Sequence, residues 1–218
     1  MVLFFLIPIV AVFGYGSDKK GTLANASQMV KVYDAHGSRA AMAFFEKRGD
    51  DWIQVGAEWP VNIGRHGLGK RQEGDGKTPV GVFALGDVYA YKRIETKMPL
   101  FVAFDEKMIC VDDPKSRYYD RIVDKTRVIE DFKSYEPMHR KDGLYERLVT
   151  VAYNPSHKPG KGSCIFLHIA HGDKPTAGCV AMPKIAMEKL TAWLDPKKHP
   201  VLVVERWRPA ARFASISR

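Results

Sequence analysis

The sequence predicts a single, mainly β domain of sandwich or barrel type with one or two short helices. Three features predict it. Short apolar runs recur along the chain with turn residues between them, only one stretch has helical spacing, and a long glycine-rich segment interrupts the pattern. The 218 residues, 45% of them hydrophobic and 27% charged, suffice for one full core. The sequence has no internal repeat, low-complexity tract or composition shift that would mark a domain border.

Taken in order, Met29–Tyr33 and Ala41–Glu46 are apolar runs and Trp52–Val55 alternates, so the folded region is expected to begin with strands. Asn62–Gly81 holds Gly64, Gly67, Gly69, Gly74, Gly76 and Gly81 with Pro79, too many helix breakers for regular structure. It reads as a long organised loop that leads into a strand at Val80–Leu85. A phosphate cradle there is disfavoured, because the Gly-Lys-Ser/Thr ending is missing. Leu100–Phe104 and Met108–Val111 read as a strand pair joined by a polar turn, followed by a loop at 112–116. Leu144–Tyr153 is strand-like, 154–162 is a Pro/Gly loop, and Cys164–Ile169 is an unbroken apolar run with the character of a buried strand. Pro183 opens an amphipathic segment with Ile185, Met187, Leu190 and Trp193 at helical spacing. Val201–Val204 returns as a strand, and 208–218 is a basic tail.

Met1–Phe13 is uncharged and almost wholly apolar, the length of a secretory core rather than a comfortable membrane span. Residues 1–26 are therefore expected to be a signal peptide, cut after Ala26 in the small-x-small site Ala24-Asn25-Ala26, with the folded domain over 27–207. The alternative is a buried first strand or an uncleaved anchor, since no Lys or Arg precedes the apolar run. The formal charge of +9 is spread along the chain without a dense basic run, which argues against nucleic acid and fits an anionic partner in general.

Three cysteines, Cys110, Cys164 and Cys179, make neither a disulfide scaffold nor a metal-ligand spacing, so no metal is expected. An odd count leaves at least one thiol free, and an exported protein tolerates that best where the thiol is used. Cys110 and Cys164 read most simply as small buried hydrophobes, with a disulfide between them as the alternative. Cys179 follows Gly178 in the segment 165–183, which reads as strand, loop, tight turn and helix start. A thiol at such a turn meets a substrate carbonyl, and the N–H groups of Gly178 and Cys179 are candidates to face the oxyanion. Its reference pKa of about 8.5 leaves it mostly protonated at neutral pH, so it needs a base. His168, ending a buried strand, is the candidate; His171, in the following polar loop, is the competitor. Packed-turn and core-histidine readings of the same residues need no chemistry, and the pair alone is a weak signal.

His168 followed by Thr176-Ala177-Gly178-Cys179 resembles the signature of the YkuD-type L,D-transpeptidase catalytic domain: a strand-borne His, a loop, and a Ser/Thr-x-Gly-Cys turn. Lys77–Phe83 is similar to the family's Thr-Pro-x-Gly-x-Phe element, and 112–114, Tyr118-Tyr119 and Tyr153-Asn154 resemble further landmarks. The resemblance implies a mainly β, cofactor-free enzyme acting on peptidoglycan stem peptides through a Cys179 thioester. It implies His168 as base, held by the carbonyl of Ile169 or a near neighbour, with Gly178 and Thr176 shaping the turn. Tyr153, Asn154 and His171 are weaker candidates for substrate contact, and no obligatory protein partner is evident. Two residues depart from the pattern. Ala177 stands where His is usual, and Ala181 where Arg or Asn is usual, with Arg140, Arg65 and Lys174 as candidates to compensate. Hydrolysis of the same peptides, or wall binding without catalysis, are the alternatives.

Overall fold

A computed structural model describes the backbone of residues 19–206 and the side chains of residues 22–206. The apolar leader and the basic tail of the sequence reading thus lie for the most part outside the described residues. A short helix α1 (Lys19–Ala24) is followed by three long antiparallel strands, β1 (Gln28–His36), β2 (Arg39–Arg48) and β3 (Asp51–Asn62). A two-residue turn with Gly49 at φ 61° joins β2 to β3; a side chain there would be forced into the left-handed region. Ala26 is buried against Met29, Val201 and Val203, where the expected cleavage point meets the folded body.

Next come β4 (Gly81–Ala90), β5 (Leu100–Val102), β6 (Met108–Val111), β7 (Ile122–Asp124), β8 (Tyr135–Pro137) and β9 (Arg147–Val151). The chain then forms β10 (Phe166–Ile169), β11 (Val180–Met182), α2 (Lys184–Trp193), a 3-10 turn and β12 (Val201–Val204). The large sheet runs β12-β1-β2-β3-β11-β10-β9-β4-β5, and β12 also pairs with β4, so it closes on itself with β5 as an appendage. Closure leaves few free strand edges.

Period-two alternation decides what lies inside. Val30, Val32, Met42, Phe44, Val149, Val151, Leu167, Ile169, Val180 and Met182 share the barrel core. Helix α2 follows Pro183, which cannot continue a helix backwards, and contributes Ala186, Met187 and Leu190 to that core; Trp193 stacks on Phe44 at 5.1 Å.

The small sheet β7-β6-β8 lies over the outer face of β4, β9 and β10. There Tyr89, Cys110, Met138, Tyr145, Leu148, Cys164, Phe166 and Cys179 make a second apolar cluster. Two sequence expectations change here. Residues 100–104 and 108–111 do not pair with each other: β5 runs parallel to β4, while β6 pairs with β7 and β8. The polar turn between them carries the chain from the barrel to its cover; both runs are apolar in sequence, but β5 is only partly buried whereas β6 is buried on both faces. Secondly, Cys110 and Cys164 are not separate hydrophobes but a disulfide, with Cα atoms 6.1 Å apart, fastening the cover to the approach of β10.

Candidate functional site

The parallel pairing of β10 with β11 sets Leu167 opposite Val180 and His168 opposite Ala181, so one step back Cys179 lies beside Phe166. Because Leu167 and Val180 face the barrel interior, alternation turns Phe166, His168 and Cys179 to the outer face, under the small sheet. The expected order of strand, turn and helix start needs one amendment. Strand β11 intervenes, and Cys179 sits at its entrance rather than at a helix N-terminus.

The turn that presents Cys179 is fixed by hydroxyls. Thr176 Oγ1 and Thr78 Oγ1 both donate to the Cys179 carbonyl, at 2.7 and 3.2 Å. Thr78 also accepts the Gly64 N–H at 2.8 Å, and Thr176 accepts that of Gly178 at 3.1 Å. This last bond corrects the expectation that both turn amides face an oxyanion: the Thr176 hydroxyl, two residues back, takes the Gly178 N–H in a local ST-turn. The Cys179 N–H has no acceptor among the described residues. Gly64 lets the loop approach, since a Cβ there would stand 2.4 Å from the Gly76 carbonyl oxygen.

The Cys179 sulfur is buried. It accepts the Phe166 N–H at 3.3 Å, and its S–H donates to the Cys164 carbonyl at 3.4 Å. Burial, with Glu136 nearby, pushes this thiol up to about 12, against the opposing pull of the Phe166 N–H, Lys70 and Arg140. His168 is also buried, and its Nδ1 lies 2.8 Å from the Ile169 carbonyl oxygen. A carbonyl only accepts, so Nδ1 carries the proton and Nε2 keeps its lone pair. Burial lowers this imidazole to about 4, opposed by the bond to Ile169. Thiol and imidazole are both neutral at rest, and among the described residues no hydrogen bond joins them.

Tyr145 packs against His168 and Phe166. Its ring meets the edge of His168 at 5.2 Å and of Phe166 at 5.7 Å, and its hydroxyl donates to Glu136 of β8 at 2.5 Å. Burial and this carboxylate raise the Tyr145 phenol, and burial raises Glu136 in turn. Arg140 lies over the Tyr145 ring, 5.1 Å from its centre, and pairs with Asp142. Of the three cations considered for the gap left by Ala181, Arg140 alone lies against these aromatic neighbours of Cys179 and His168; Arg65 and Lys174 are exposed on loops.

Other expected site residues are dispersed. His171 is exposed in the 170–175 loop. Tyr153 donates to the Lys161 carbonyl at 3.0 Å, and Asn154 holds the 158–162 turn through Lys158 and Gly162. Both also line a cavity of about 430 Å³ that Phe166, Thr150 and Asp120 share, and which neither Cys179 nor His168 borders. The sequence alone does not distinguish Thr78, Tyr145, Glu136 or Lys70 as site residues. Thr78 belongs to the 77–83 element, whereas a Lys in a glycine-rich loop and a Tyr in an apolar run carry no signal of their placement.

The sequence model of the YkuD family, described as an L,D-transpeptidase catalytic domain, matches residues 36–203, well over half of the chain. This protein belongs to that family. No curated protein matches it. Among solved structures it is similar to the helical cell shape determining protein Pgp2 from Campylobacter jejuni and to a K307A mutant of that protein. Each shows 14% identity and a TM-score of 0.43 over 84% of this chain; the chain spans about half the length of Pgp2, 49% and 48% in the two structures.

Proposed function

We propose that this chain is a cysteine-dependent L,D-transpeptidase acting on peptidoglycan stem peptides. The observation that supports it most directly is the shared outer face. His168 on β10 and Cys179 at the entrance to the adjacent parallel strand β11 share one side of the sheet, with the imidazole locked by Ile169 in the tautomer that leaves Nε2 basic. On substrate entry the S–H turns from the Cys164 carbonyl to His168 Nε2, a tightening often reserved for the substrate complex. The sulfur then attacks the carbonyl before a D-amino acid. A C–S bond forms, the C–N bond breaks, and the proton from sulfur leaves on the departing amine. An amine of a second stem next attacks the thioester, restores the thiol and yields a cross-link. Water in its place yields a shortened stem.

The Cys179 N–H is the backbone donor for the oxyanion, and the hydroxyls of Thr78 and Thr176 hold the residue from its other side, through the Cys179 carbonyl. Export to the cell envelope is part of the reading, supported by the apolar amino terminus and by the Cys110–Cys164 disulfide, which persists in an oxidising compartment. Among the described residues no helix is long and apolar enough to cross a membrane. The test is to incubate the purified protein with disaccharide tetrapeptides and weigh the products. Cross-linked dimers support transfer and shortened monomers support hydrolysis. Either must vanish in Cys179→Ala, and a folded wild type that gives neither refutes the proposal.

A further inference from the structure

The loop between β3 and β4 buries a lysine directly behind the nucleophile turn. The Lys70 side chain is 2% exposed, and its ammonium pairs with Asp75 Oδ1 at 3.0 Å. Gly162 makes room for it, and Gly178 lies at contact distance from its ammonium. A Cβ at Gly162 would lie 2.5 Å from Lys70 Cε, and one at Gly178 would lie 3.4 Å from Nζ. Asp75 is itself gripped by the N–H groups of Arg71, Gln72 and Lys77 at 2.7, 3.2 and 3.0 Å, so the ammonium has a fixed seat. A stem of four methylenes threaded past Gly162 to reach the Cys179 turn is a costly way to bury a charge that a surface pair would serve equally well.

We infer that Lys70 is a positioning residue of this site, a fixed buried cation behind the Gly178–Cys179 turn that favours negative charge on the Cys179 sulfur; the inference rests on the catalytic reading above. The charged and titratable groups around that sulfur come from several elements: His168 on β10, Glu136 on β8, Arg140 and Tyr145 on the segment before β9, and Lys70 with its partner Asp75. Glu136 opposes a thiolate, whereas Lys70 and Arg140 favour it. Lys70 is the buried one of these two cations, where water screens it least.

The experiment measures the rate of Cys179 alkylation by iodoacetamide against pH, with Cys179→Ala as blank and a thermal melt of each protein to confirm folding. In Lys70→Met combined with Asp75→Asn, which leaves no lone buried charge, the curve should move up by about one pH unit, roughly tenfold in rate at fixed pH. Lys70→Arg keeps the charge and should stay near the wild-type curve. Asp75→Asn alone removes the opposing carboxylate and should move the curve the other way, so the inference stays testable if the double variant does not fold. A double variant that follows the wild-type curve overturns it, as does an Asp75→Asn curve that stays put or rises. If wild-type protein makes product and alkylates but the double variant matches it, this inference alone fails. If the wild-type thiol neither alkylates nor turns over stem peptides, the catalytic reading fails with it.

Discussion

The disulfide between Cys110 and Cys164 joins residues 54 apart in sequence, and breaking it is a measurable perturbation of this fold. Cross-linking a loop of that length removes chain entropy from the unfolded state, amounting to about 4 kcal/mol at 25 °C. For a domain of this size each kcal/mol moves the melting midpoint by about 2–4 °C, so reduction should lower it by about 8–16 °C. Reduction is a cleaner comparison than mutation, because it changes two hydrogen atoms and leaves the packed cluster of Tyr89, Met138, Tyr145 and Phe166 intact. The assay is a thermal melt of the protein with and without dithiothreitol, beside Cys110→Ala with Cys164→Ala, which should already melt low and ignore the reductant. The effect should reach the site as well, since the Cys164 carbonyl receives the Cys179 S–H and the Cys164 N–H is bonded to Asp120 at 2.9 Å. A reduced wild type that melts within about 3 °C of the oxidised form would refute the argument, because the loop entropy in the unfolded chain would then not be limiting stability.

Three further outcomes are expected. The unfolded chain protonates His168 below about 6.5 and the folded chain only below about 4, so this residue withdraws about 3 kcal/mol of stability as pH falls through that window. Asp120, raised to about 7 by burial, has the opposite sign and gains stability as pH falls, so the test is the difference in urea midpoints between wild type and His168→Gln from pH 7 to 4. His168→Gln should flatten the acid loss and abolish product formation; a parallel pair of profiles contradicts the assignment. Thr78→Val deletes a fully buried hydroxyl that both donates and accepts, and should cost about 1–3 kcal/mol in urea unfolding with a fall in kcat. Unchanged kcat would mean that Thr176 alone fixes the turn. Gly64→Ala drives a Cβ into the backbone at 76–77 and should cost about 1–3 kcal/mol by the same measurement.

How the sequence reports this fold depends on what each signal measures. Apolar runs record which segments are buried, and so they mark β1, β2, β10 and β12, while helical spacing marks the helix after Pro183; all of these contribute to the barrel core. They do not record the partner strand. Leu100–Val102 and Met108–Val111 therefore looked like one hairpin, although the first extends the barrel and the second begins the cover. Strands β7, β8 and β11, three residues each, are too short to show a period at all. The site divides in the same way. Its local part, His168 with the Thr176–Cys179 turn, lies within twelve residues and could be read directly. The remainder reaches Cys179 from residues 70, 78, 136 and 145 only because the sheet closes and the cover folds down upon it. Those distant residues act on Cys179 in different ways: Thr78 holds its carbonyl, Lys70 pulls its thiol toward the charged form, and Glu136 pushes it away. On the proposed reading its reactivity, like its position, therefore depends on residues far away in sequence, and variants of Lys70 or Glu136 should tune it with the Thr-x-Gly-Cys sequence unchanged.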